Sequence, residues 1–104
     1  MKLTKHNLAY YLKDEGYQVE PEFVFASPRK FRADWKVCKD DKCCLVEYEG
    51  LMSAKSRHTT KGGFSKDCQK YNLAQIKGYN VFRYTAINLN DIAEDLKLFF
   101  SQSI

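Results

Sequence analysis

Three acidic residues dominate the chemistry open to this sequence: Asp34 in "FRADW", and Glu47 and Glu49 in "VEYEG". Strand side chains alternate between faces, so Glu47 and Glu49 point one way while Val46 and Tyr48 point the other. Between the two stretches lies "KDDK", and a two-residue hairpin loop centred on Asp40 and Asp41 sets Asp34 opposite Glu47, Trp35 opposite Val46 and Arg32 opposite Glu49. Facing residues in such a ladder sit about 5 Å apart at Cα, close enough for like charges to destabilise the sheet. Such a cluster persists when a divalent cation, the nearby Arg32 and Lys36, or protonation of one acid neutralises it. Oxygen-only donors favour Mg²⁺ held by one or two carboxylates and completed by water, the usual form of a site that handles phosphate. The competing reading is an exposed sheet face satisfied by salt bridges.

A second feature is where the charge lies. The net charge of +4 belongs wholly to residues 55–70, "KSRHTTKGGFSKDCQK", where Lys55, Arg57, Lys61, Lys66 and Lys70 face only Asp67; the flanking parts are neutral. Cations mixed with hydroxyls and a Gly pair suit a loop that meets a phosphate backbone, although a charge run by itself also describes a solvated surface loop.

These groups need elements to hold them. Thr4 caps a first helix with Leu8, Tyr11 and Leu12 on its apolar face and Gly16 at its end. Extended stretches follow at Tyr17 to Phe25, Phe31 to Val37 and Cys43 to Glu49. The apolar faces agree across the hairpin, with Phe31, Ala33, Trp35 and Val37 beside Cys44, Val46 and Tyr48. A second helix spans Phe64 to Lys77, packing Phe64, Cys68, Tyr71 and Ile76 inward, and Gly78 stops it. "YNVFRYTA" is a buried strand, its Phe82 and Tyr84 core residues; Arg83 reaches either DNA or an acid. Asn88 or Asn90 opens a last helix with Ile92, Leu96, Phe99 and Phe100 on one face. Helix, three strands, helix, strand, helix is an α/β layer on a mixed sheet, and the crossover helix lets the fourth strand run parallel to its neighbour.

The length of 104 residues predicts a single domain. No apolar run approaches a membrane span and the first residues lack a secretory pattern, so the expectation is a soluble, cytoplasmic protein. In that setting Cys38, Cys43, Cys44 and Cys68 are expected as free thiols. Zinc is disfavoured because C-x-x-x-x-C-C lacks paired ligand spacing and adjacent strand cysteines face opposite ways.

Taken together, "FRADW", "VEYEG", "SRHT", "GGFSKDCQKYN" and "GYNVFRYT" resemble the small stand-alone nucleases of the PD-(D/E)XK superfamily found in phages and bacteria, relatives of the VRR-NUC and Vsr-like groups, over residues 29–86. The resemblance implies a restriction-endonuclease-like core and a Mg²⁺-dependent DNA endonuclease, with Mn²⁺ as a substitute, in the cytoplasm or, for a phage-encoded member, the host's. By position it makes Asp34 and Glu47 metal ligands, joined by the Tyr48 carbonyl. Glu49 stands where the motif usually has lysine and becomes general base or further ligand. Lys70 is the candidate replacement cation, steadying charge in the transition state, and His58 binds phosphate or helps move a proton. A glutamate common on the first helix is replaced here by His6 and Asn7. Lys55, Arg57, His58, Thr59, Lys61, Lys66 and Lys70 are the expected nucleic-acid contacts. With no separate module to read bases, the expected substrate is branched, nicked or junction DNA, cut by a homodimer. The alternative is a nuclease fold that binds nucleic acid, or regulates, without turnover.

Overall fold

The computed structural model describes residues 1–26, 31–50 and 61–102. Chain order is α1 (Leu8–Asp14), β1 (Gln18–Val24), β2 (Arg32–Lys39), β3 (Lys42–Gly50), α2 (Lys61–Ile76), β4 (Asn80–Thr85), a 3₁₀ turn (Leu89–Asp91) and α3 (Ile92–Ser101). The strands form one mixed sheet in the order β1-β2-β3-β4, the first three antiparallel and β4 parallel to β3. This is the α/β order the sequence predicts.

Local chemistry sets the boundaries. The Thr4 hydroxyl accepts the His6 and Asn7 backbone N–H groups, closing the turn that leads into α1. At the end of α2, Gly78 adopts φ 88° while its N–H and that of Tyr79 return to the Gln75 and Ala74 carbonyls, a left-handed stop that a side chain would strain. Lys39 pairs with Lys42 around an Asp40–Asp41 loop with Asp40 at φ 55°, so the hairpin has the expected register, with Trp35 opposite Val46. Asn88 stands at the N-cap of the 3₁₀ turn that leads into α3, and Asp91 at that of α3, but neither Asn88 nor Asn90 caps a helix with its side chain. Asn88 Oδ1 accepts from the Thr85 N–H and hydroxyl, and Asn90 reaches across to the chain's first residues.

Apolar residues cover both faces of the sheet. On one, Leu8 and Leu12 of α1 and Leu89, Ile92 and Leu96 around α3 pack on Val37, Cys44, Val46 and Tyr84, with Trp35, Phe82, Phe99 and Phe100 at the margin. On the other, Ala74 of α2 meets Leu45, Ala33, Phe25 and Ala26, bordered by Phe23, Phe31, Leu73, Tyr79 and Val81. Strand β2 therefore does not keep Phe31 and Ala33 with Trp35 and Val37, as strict alternation requires. Its residues change clusters at Asp34. The neighbouring β1 changes alongside it, Val19 packing with the first cluster and Phe23 with the second, around Glu22 at φ 52°.

Two further expectations are corrected. Helix α2 turns away the face predicted to be inward: Phe64 and Ile76 are 61% and 79% exposed, and Cys68 is exposed. Facing inward are Gly63, Asp67, Lys70, Tyr71 and Ala74, spaced four, three, one and three residues apart as one helical face. Cys38 and Cys43, opposite one another in the hairpin, form a disulfide; Cys44 and Cys68 are free, as expected. Adjacency in the ladder, which composition cannot show, brings the pair together. No helix among the described residues is long and apolar enough to cross a membrane.

Candidate active site

The site occupies a fork in the sheet. Pairing between β2 and β3 ends at Trp35 and Val46, beyond which β2 continues on β1 and β3 continues on β4. Backbone groups freed where the strands part need other partners. The two acids supply them: the Tyr48 N–H donates to Asp34 Oδ2 at 2.8 Å and the Asp34 N–H donates to Glu47 Oε2 at 3.1 Å. Asp34 and Glu47 are thus tied into each other's strands and share the wall of one cavity.

Glu47 is 5% exposed, the one charged residue in the core among those described. Its Oε1 meets the Lys70 ammonium from α2 as an ion pair but lacks a well-directed hydrogen bond. Burial pushes the Glu47 carboxyl up from 4.5 to about 7; the Lys70 ammonium pulls against this, and the Asp34 charge adds to it. Asp34, Glu47, Tyr48, Glu49, Asp67, Lys70 and Tyr71 line a wholly polar cavity of about 90 Å³.

Glu49 lies on the wall of that cavity, next to the irregularity where the β3–β4 register shifts between Tyr48 and Gly50. One of its oxygens accepts from Arg83 Nε and from the Tyr71 hydroxyl, both at 2.9 Å. The guanidinium stacks 4.1 Å from the centre of the Tyr71 ring. Arg83, for which the sequence leaves DNA and an acid both open, takes an acid. Burial raises the Tyr71 hydroxyl far above its ordinary range, with Glu47 and Glu49 adding to the effect, so it remains a donor.

The cations the sequence offers for the acidic face go elsewhere. Arg32 pairs with Glu22 on β1 at 2.8 Å, not with Glu49, and the Lys36 ammonium sits 4.4 Å from the centre of the Phe23 ring. Lys70 and Arg83 neutralise the acids instead. Tyr71, expected in the core, belongs to the site. Lys66 is exposed on α2. Lys55, Arg57, His58 and Thr59 lie outside the described residues, as does the side chain of Lys61, whose backbone begins α2. Residues 61–70 of the basic run are therefore helical.

Among the described residues no three His, Cys, Asp or Glu side chains are grouped to hold a metal. The donors that fit Mg²⁺ are two, Asp34 and Glu47: adjacent carboxylates, one buried with an oxygen short of hydrogen bonds. Two carboxylates completed by water and phosphate oxygens is an ordinary Mg²⁺ arrangement. Sequence reasoning missed the Arg83–Tyr71–Glu49 group, since its three residues come from three elements and no spacing links them. The one local signal was an arginine between Phe82 and Tyr84, opposite to their face and so aimed at the side of Glu47. No family model, curated protein or solved structure matches the chain.

Proposed function

We propose that this protein is a Mg²⁺-dependent endodeoxyribonuclease of the PD-(D/E)XK type, with a restriction-endonuclease-like core and a preference for DNA structure over base sequence. The observation that carries the reading is the buried Glu47 carboxylate against Asp34, with Lys70 delivered from a separate helix to the same polar cavity. Asp34 and Glu47 would hold the ion, which when bound would supply polarisation of the phosphate and a more acidic water. Lys70 replaces the lysine that the motif lacks at Glu49, and its ammonium steadies negative charge developing on the phosphate. Arg83 and Tyr71 fix the Glu49 carboxylate on the cavity wall, where it accepts a proton from water or adds a ligand. Two copies of the chain would cut two strands.

A second reading, a nuclease-like fold that binds DNA without turnover, is favoured by one observation: Lys70 already compensates Glu47. Supercoiled, linear, nicked and four-way-junction DNA incubated with Mg²⁺, Mn²⁺ or EDTA separates the two. The enzyme cuts with either metal, stops in EDTA, loses activity in Asp34→Ala and Glu47→Ala, and slows about 10²-fold in Lys70→Met. DNA binding without cleavage under any metal, unchanged by the substitutions, selects the binding protein.

A further inference from the structure

We propose that the cavity beside the carboxylate pair, walled by Lys5, His6, Pro21, Trp35 and Tyr48, is a subsite for one unpaired deoxynucleotide adjoining the phosphate that is cut; this rests on the endonuclease reading. The cavity measures about 340 Å³ and shares Asp34 and Tyr48, at the fork between β2 and β3, with the smaller polar cavity; Trp35 puts it on the α1 side of the sheet, and Lys70 and Tyr71 put the polar one on the α2 side. Ligand pockets span about 300–1,000 Å³, which makes this one fit for a single nucleotide and not for a stretch of duplex.

The walls divide by chemistry. Trp35 and Tyr48, both half-buried, and Pro21 offer apolar surface for a base and sugar, since every base presents a π-face to an aromatic side chain. Lys5 and His6 are exposed, and neither side chain has an ion-pair partner among the described residues, so both are open to phosphate oxygens. Of the two acids in the wall, Glu22 is neutralised by Arg32 at 2.8 Å, leaving the Asp34 charge at the junction with the polar cavity. A base within a duplex keeps both faces against its neighbours, whereas one at a junction, flap or mismatch can turn a face to protein. The pocket therefore selects DNA with an unpaired nucleotide beside the cut. The turn into α1, which carries Lys5 and His6, would thus bind the strand rather than a metal.

Trp35 is the chain's one tryptophan, so its emission reports on this pocket alone. The probe is short oligothymidylate titrated in EDTA, where nothing is cut. Saturable quenching of Trp35 is expected, with affinity about tenfold weaker in the double variant Lys5→Ala, His6→Ala. Both residues are exposed, and an unchanged emission maximum in the free variant shows that the fold persists. With Mg²⁺, a junction carrying an unpaired nucleotide should be cut about tenfold more slowly by that variant. Cleavage at the wild-type rate by the variant, with no Trp35 response, overturns the subsite and leaves the endonuclease. A Trp35 response lost in the variant, with no cleavage of any substrate, overturns the endonuclease and leaves the subsite. Neither response nor cleavage overturns both.

Discussion

A carboxylate that sits in a protein core titrates as a consequence of where it sits. Glu47 rises to about 7 because burial outweighs the Lys70 attraction. A carboxyl whose folded pKa exceeds its unfolded value binds more protons in the native state between the two. Its contribution to stability is therefore full below about 4.5 and drains as the pH rises through about 7. The metal-free wild type should lose melting temperature between pH 5 and pH 8 (roughly this window) on that account, and Glu47→Gln should flatten the slope. Parallel slopes for the two proteins in thermal melts would show that Glu47 is charged without cost. At Glu49 the expectation is geometric: Arg83→Ala removes one donor to the carboxylate and leaves the Tyr71 hydroxyl, so on the endonuclease reading cleavage should fall about tenfold or more with DNA affinity little changed, read as kcat against KM.

At the scale of elements, α2 carries the clearest disagreement between pattern and packing. Its apolar residues suggest a face of Phe64, Cys68, Tyr71 and Ile76, yet the helix seats Gly63, Asp67, Lys70, Tyr71 and Ala74 toward the sheet. Small residues explain how: Ala74 is fully buried against Ala33, Ala26 and Leu45, where nothing larger lets the helix approach so closely. The polar remainder of that face then reaches Glu47 and Glu49. Ala74→Leu should overpack this contact and cost about 1–3 kcal/mol. Phe64→Ser and Ile76→Lys should change stability by no more than about 0.5 kcal/mol, as exposed positions do. Urea denaturation of the three variants decides, and the reverse ranking would restore the face that the apolar pattern suggests.

Across the whole molecule, the start of the chain is positioned beside the fork between β2 and β3 by contacts far apart in sequence. Asn90 accepts from the Leu3 N–H at 2.8 Å and donates to the Met1 carbonyl at 2.9 Å, binding the start of the chain to the turn before α3. Leu3 is buried in the same cluster as Leu89 and Ile92. This tie places Lys5 and His6 over the cavity beside Asp34. Asn90→Ala should destabilise the protein by about 1–3 kcal/mol through the unsatisfied Leu3 N–H. It should also speed amide exchange in residues 3–8 ahead of the rest of the domain. Unchanged exchange there would show that burial of Leu3 alone holds the segment.

Much was legible because it is local. Apolar periodicity, Gly16 and Gly78 as stops and the Asp40–Asp41 loop determined the order of elements, and the hairpin register followed, with Asp34 beside Glu47. Strand alternation is a covalent property that needs no distant partner. Other features depended on which surfaces meet. The rotation of α2, the change of face at Asp34, the Cys38–Cys43 bridge and the pairing of Lys70 with Glu47 and Arg83 with Glu49 join residues from different elements. A sequence pattern places residues on a helix or strand face but carries no information about what that face will touch. Packing against the other elements decides it, and only the tertiary structure brought those partners together.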